Sequence, residues 1–186
     1  MTDKGDRIKT ALEIAMERAQ KIKVSREELD RQRYIDEGRK LAGRYLTHED
    51  FDLENALGFY KGKIRGWVEE GVRSVFHMKL TLPKNEQIKV ENERVLKGML
   101  LLEKDKRKVD RIRMLFNSYE KNYEAAYERL KMEFESRLGE TKRTLENLGF
   151  TVEVENQPQF KEKWAQVVGE LDLKYEEVLK QYLSDR

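Results

Sequence analysis

Between Asn92 and Leu148 the chain has no proline and only two glycines, Gly98 and Gly139. Apolar residues recur there at Val95, Leu102, Val109, Ile112, Phe116, Tyr119, Tyr123, Ala126, Leu130, Phe134, Leu138, Leu145 and Leu148. The steps are three, four or seven, apart from three consecutive fours between 126 and 138. That is a heptad seam with one local change of pitch. One helix over this range would be about 85 Å long at ~1.5 Å per residue. No compact domain of this size is that wide, so the expected fold is all-α and elongated.

A second seam precedes it: Leu53, Leu57, Tyr60, Ile64, Trp67, Gly71, Val75, Met78 and Leu82. Thr47 with Asp50 three residues on marks its start, a weaker form of the capping box. Pro83 marks its stop by removing a backbone donor and disfavouring helical geometry at Leu82. Two seams joined by the short break Thr81-Leu82-Pro83-Lys84-Asn85 bury each other by folding back antiparallel. Residues 47–148 are therefore expected to form a long coiled-coil hairpin with its turn near 83–86, rising from a helical-bundle base.

The base would come from both ends of the chain, within a single domain of 1–186. Residues 6–23 carry the stripe Ile8, Leu12, Ala15, Ala19 and Ile22, and Ala11, Ala15 and Ala19 form a narrow ridge on the same stretch. Ser25 with Glu28 is a full capping box and marks a new start, leading to Leu46 with Leu29, Ile35, Leu41, Ala42 and Tyr45 inward. Within the N-terminal segment 1–46, whether residues 6–46 form one kinked helix or two is left open by these signals. Asn147-Leu148-Gly149 looks like a helix end with a glycine cap. The linker 149–158 contains Phe150-Thr151-Val152-Glu153-Val154-Glu155, whose alternation predicts an extended segment. A last helix over 159–184 carries Phe160, Trp164, Val167, Val168, Leu171, Tyr175, Val178, Leu179 and Tyr182, and is expected to pack on the aromatic lower half of the 92–148 arm.

Charged residues make up 40% of the chain and apolar residues 38%. Against a typical quarter charged, that composition suits long exposed helices better than a thick core. Disorder is the competing reading of so much charge. Eight tyrosines, seven phenylalanines and two tryptophans, set in a regular seam, argue against it. With no cysteine, disulfides, thiolate zinc sites and cysteine nucleophiles are excluded. The polar start Met1-Thr2-Asp3-Lys4-Gly5-Asp6 lacks a signal-type apolar core, and no run approaches the ~20 apolar residues of a membrane span. A cytoplasmic protein without a transmembrane segment is expected.

Two features suggest contacts with other molecules. Gly58, Gly62 and Gly66 recur every four residues on the side of the 53–82 helix opposite its seam. Each would cost about 1 kcal/mol relative to alanine if it faced water, whereas a glycine ridge lets another helix approach closely. The expectation is a helix-packing face, with a homodimer as its simplest form, or the Ala11/Ala15/Ala19 ridge or Gly38 and Ala42 as alternative partners. A chance register in a bent helix is the bland alternative. The stripe, within a charged coiled coil, resembles the repeats of FliH-type regulators of flagellar and type III export ATPases and of related peripheral-stalk subunits. The resemblance spans Gly58 to Gly66. It implies a stalk-like regulator of an ATPase or secretion apparatus, although a long return arm stands where that family would place its carboxy-terminal domain.

The second feature is a basic band. Lys104 to Arg113 holds six basic side chains, Lys104, Lys106, Arg107, Lys108, Arg111 and Arg113, against two acidic ones. In the expected hairpin Lys61, Lys63 and Arg65 lie level with it. From Glu133 to Arg186 there are twelve acidic and eight basic residues, so charge is segregated along the rod. Such a band could attract nucleic acid or an anionic surface. An ordinary solvated face, with Asp105 and Asp110 satisfying several cations, is the simpler account, and head-to-tail association with the acidic base is another.

No catalytic constellation is present. His48 and His77 both lack a glutamate three residues ahead, so the Glu-x-x-His pattern of carboxylate-bridged metal bundles is missing. Phosphate-cradling loops, dinucleotide fingerprints and nucleophile elbows are absent. The aromatic residues at 116, 119, 123, 127 and 134, with Trp67 and Trp164, have the spacing of a core layer rather than a ligand box. The sequence therefore points to a non-enzymatic scaffold or adaptor that needs no cofactor or metal and works through protein–protein contacts. Polyanion binding and the stalk-like regulator stand as its alternatives.

Overall fold

The computed structural model describes residues 10–102, 106–149 and 153–184. These contain six α-helices, a short 3-10 helix and no strand: α1 (Ala11–Thr47), α2 (Leu53–Gly58), α3 (Gly62–Lys79), α4 (Glu86–Leu102), α5 (Arg107–Asn147), the 3-10 helix Val154–Asn156 and α6 (Pro158–Ser184). The chain forms two compact units, divided between Phe76 and His77.

In the first unit α1 is one helix of 37 residues. The Thr10 hydroxyl accepts from the Glu13 backbone N–H at 3.2 Å, and the Glu13 carboxylate accepts from the Thr10 N–H at 2.7 Å. This capping box, not Ser25 with Glu28, starts the helix. No proline or glycine separates Ala11 from Gly38, so nothing breaks α1 at Ser25 and that pair lies mid-helix. Leu12 and Ala15 of the expected N-terminal stripe are exposed. Ile8 and the side chains of Ala11, Ala19 and Ile22 lie outside the described residues.

The Thr47/Asp50 start is also displaced. The helix continues to Thr47, whose hydroxyl donates to the Gly43 carbonyl at 2.9 Å. The next helix begins after Asp52, whose side chain accepts from the Asn55 N–H at 2.9 Å. The expected single helix over 53–82 is two helices, because Gly58 closes α2 and Gly62, with φ +57°, opens α3. That left-handed conformation is one glycine adopts without strain.

α3 runs parallel to α1, since the pairs Glu27/Lys63, Tyr34/Trp67 and Tyr45/Phe76 ascend together along both, and Arg31 reaches Glu70 between them. The helices touch through backbone where Gly38 and Gly71 meet. A Cβ on Gly38 would lie 2.0 Å from the Val68 carbonyl oxygen, and one on Gly71 would lie 2.0 Å from that of Ile35. Ala42, Val68, Val72 and Phe76 around the crossing are fully buried, with Ile35, Leu41, Leu53 and Leu57 completing the core.

In the second unit the 80–85 segment is non-helical, as Pro83 predicts. Its conformation is held from α4: the buried Asn92 side chain donates to the Thr81 carbonyl at 2.7 Å and accepts from the Thr81 N–H at 3.3 Å. Asn85 caps α4 by accepting from the Ile88 N–H at 2.9 Å. The expected single arm over 92–148 is likewise two helices, α4 ending at Leu102 and α5 beginning at Arg107.

α5 is the central helix of this unit. α4 lies antiparallel along it, with the ion pairs Arg113–Glu93 at 3.1 Å and Lys89–Glu120 at 3.0 Å. α6 lies antiparallel along another of its faces, from Lys108 beside Leu183 to Phe134 beside Phe160. The seam residues Val109, Ile112, Phe116, Tyr119 and Leu130 are buried. Gly149, with φ +86°, follows the end of α5 as the glycine cap requires. Within the expected extended run, Phe150, Thr151 and Val152 lie outside the described residues, Glu153 is extended, and Val154 and Glu155 are in the 3-10 helix. The Val154 side chain is buried with Leu130 and Phe160, against Tyr127, Phe134, Leu138 and Trp164.

Candidate interaction surface

The aromatic layer that the spacing in α5 predicts is a ladder between α5 and α6. Tyr119 meets Tyr175 edge-on at 5.4 Å, Tyr123 meets Trp164 at 5.0 Å, Tyr127 meets both Trp164 and Phe160, and Phe134 meets Phe160 at 5.4 Å. Edge-to-face pairs of this kind add about 0.5–1.5 kcal/mol each beyond the area they bury. The rings pack on one another, so the layer is core.

Polar groups fasten the ladder. The Tyr119 hydroxyl donates to Asp172 Oδ1 at 2.7 Å, and Lys84 Nζ holds Oδ2 of the same carboxylate at 2.5 Å. One acidic side chain on α6 thus ties α5 to the 80–85 segment. Burial, and then the adjacent Asp172 carboxylate, push the Tyr119 phenol far above the usual tyrosine range. Asn122 Nδ2 donates to the Tyr175 hydroxyl at 2.5 Å. Lower down, Lys131 pairs with Glu155 at 2.5 Å and holds that carboxyl below its ordinary range. Sequence reasoning missed Asp172, Lys84 and Asn92, because each acts on residues distant in the chain.

Beside this core runs an open groove of about 460 Å³ between α5 and α6. Asn122, Ala125, Ala126, Arg129, Leu130 and Glu133 form one wall, and Lys163, Val167 and Leu171 the other. A smaller cleft of about 320 Å³ in the first unit is lined by Glu27, Glu28, Arg31, Lys63, Trp67 and Glu70. Its charges are paired across it, Arg31 with Glu70 at 2.9 Å and Lys63 with Glu27. Lys63 also stands 5.2 Å from the Trp67 ring centre.

The glycines Gly58, Gly62 and Gly66 do not form a ridge along one helix. Gly58 ends α2, Gly62 is the φ +57° residue that starts α3, and Gly66 lies within α3. All three are exposed, with open space where a Cβ would stand. Within the chain, close approach of two helices occurs at Gly38 and Gly71. The helical stripe on which the resemblance to FliH-type repeats rests is therefore not continuous.

Several of the basic residues have local partners. Arg65 pairs with Glu69 at 2.7 Å, and Arg113 forks onto Glu93 at 3.1 and 3.2 Å. Arg111 stands 5.7 Å from the Tyr182 ring centre, and Lys108 donates to the Leu183 carbonyl at 3.4 Å. Lys61 precedes α3 and is exposed, as are Lys106 and Arg107 at the start of α5, while Lys104 lies outside the described residues. Among the described residues no cluster of three or more histidine, aspartate or glutamate side chains could hold a metal ion. No helix among them is long and apolar enough to cross a membrane.

No curated protein and no solved structure matches the chain. A family model described as a family of unknown function, DUF6657, matches residues 54–185, from α2 to the end of α6. The chain belongs to that family, DUF6657.

Proposed function

We propose that this protein is a non-catalytic scaffold or adaptor that works through helical faces offered to other proteins. The observation that carries this reading is the uneven covering of α1. From Tyr34 onward the helix is packed, with Ile35, Gly38, Leu41 and Ala42 buried. Before it, every described side chain from Leu12 to Arg33 is exposed, Leu12 at 70% and Met16 at 66%. In water a helix of that length draws little stability from propensity alone, and most helices owe theirs to a packed apolar face. An apolar i, i+4 pair on an uncovered helix is the pattern by which amphipathic helices engage grooves and other helices. The pairing of Lys63, Arg65 and Arg113 within the chain makes protein contacts a better account of its charge than polyanion binding.

The test compares the full chain with a Leu12→Glu/Met16→Glu variant. Proteins retained by each from the native host would be quantified, with helix content monitored by circular dichroism. A partner retained by the parent, lost by the variant and raising the parent's helix content supports the reading. Identical retention by both chains removes α1 as the contact face. A parent that retains nothing overturns the scaffold assignment.

A further inference from the structure

Resting on that reading, we infer that the α5–α6 groove is a docking site for a short amphipathic helix with acidic flanks, supplied by a different protein. The floor of the groove is apolar and low. Ala126 and Leu130 from α5 face Val167 and Leu171 from α6, with the small Ala125 at the edge. Alanines let an incoming backbone come close, and two helices side by side leave the hollow that a third fills in a bundle. From Lys163 to Leu171 the α6 wall extends about 12 Å at ~1.5 Å per residue, a little over two turns. That length accommodates anchors at i, i+3, i+4 and i+7.

Charge selects the partner. Each wall contributes a cation to the rim, Arg129 from α5 and Lys163 from α6. Arg129 forms no ion pair among the described residues, and Lys163 reaches only the neutral Gln166, at 3.5 Å. The lining carboxylate, Glu133, is engaged by Arg137 at 2.5 Å. The rim therefore offers two uncommitted positive charges beside an apolar floor, which favours glutamate or aspartate on the flanks of the incoming helix and disfavours lysine. The same groove is a poor fit for a second copy's groove, since like rims would oppose each other.

The experiment titrates the full chain with two labelled synthetic peptides of about 15 residues, a length at which isolated helix is marginal in water and docking completes it. Both carry leucines at i, i+3, i+4 and i+7; one has glutamates on the flanks and the other lysines. The glutamate peptide is expected to bind at least about tenfold more tightly, a factor worth roughly 1.4 kcal/mol. Arg129→Glu/Lys163→Glu should reverse that preference, and Ala126→Arg should weaken the glutamate peptide by about tenfold or more while leaving helix content unchanged. Equal binding of both peptides, binding untouched by these variants, or binding of neither overturns the inference. Sedimentation of the parent as a dimer that Ala126→Arg dissociates also overturns it, because a second copy then fills the groove. Since the Leu12/Met16 comparison reads a different face, failure here leaves that result standing on its own.

Discussion

Gly66 and Gly71 lie five residues apart on α3, and replacing each with alanine should change stability in opposite directions. At Gly66 nothing lies within 4 Å of the new Cβ, so the substitution gains helix propensity alone, about 1 kcal/mol. At Gly71 the same gain is opposed by a Cβ placed 2.0 Å from the Ile35 carbonyl oxygen, where ordinary contact begins near 3.4 Å. The obstacle is backbone in α1, which cannot turn aside as a side chain does. The helices must part by more than an ångström, loosening Ala42, Val68 and Val72, which are fully buried beside the crossing. Overpacking of this kind costs about 1–3 kcal/mol. Because the obstacle is rigid the upper end applies, and the net loss is about 2 kcal/mol after the propensity gain.

The two variants should therefore differ by about 3 kcal/mol, more than ~10 °C in melting temperature for a unit of this size. Trp67 stacks on Tyr34 within the affected unit, so its emission in a Trp164→Phe background reports urea or thermal unfolding there. Gly38→Ala should behave like Gly71→Ala, since its Cβ would meet the Val68 carbonyl at the same distance. If Gly71→Ala is as stable as Gly66→Ala, the backbone contact between α1 and α3 does not exist and the reasoning fails.

Three further outcomes follow from the second unit, each read by Trp164 emission in a Trp67→Phe background. Asn92→Ala leaves the Thr81 N–H and carbonyl without their amide partner and should cost about 1–3 kcal/mol in urea unfolding; no loss would mean that solvent replaces the bonds freely. Tyr119→Phe removes a hydrogen bond to a carboxylate that Lys84 still holds, for a loss of about 1–2 kcal/mol. With its folded value raised, Tyr119 contributes stability that is complete below the unfolded tyrosine pKa of about 10 and declines as pH rises past it. Alkaline pH should therefore lower the urea midpoint, and Tyr119→Phe should flatten that dependence; an unchanged slope in the variant would assign the effect to other groups.

Some of the local elements were legible in the chain. Pro83 ends a helix because it lacks an N–H, Gly149 caps one because it accepts a positive φ, and the aromatic positions of α5 face a core because their spacing keeps them on one side. The candidate site was legible only as residues. Arg129 and Lys163 are ordinary helix cations until α5 and α6 set them on opposite rims of one groove.

What the amino-acid order determined by itself is that this is a chain of amphipathic helices, where several of them stop, and that α5 has an apolar stripe to bury. Periodicity states that a stripe must be covered without naming the cover. The seam of α5 was expected to meet the 53–82 arm, and in the second unit α4 and α6 cover it. Only the tertiary structure decided which glycines matter. Gly58, Gly62 and Gly66 share a spacing, yet Gly62 is spent on a left-handed turn between two helices, while Gly38 and Gly71, 33 positions apart and in no common motif, admit the backbones of α1 and α3 to contact. Helix propensity is summed over neighbours in the chain, whereas close approach depends on which distant carbonyl stands opposite, and that is settled only when the helices pack.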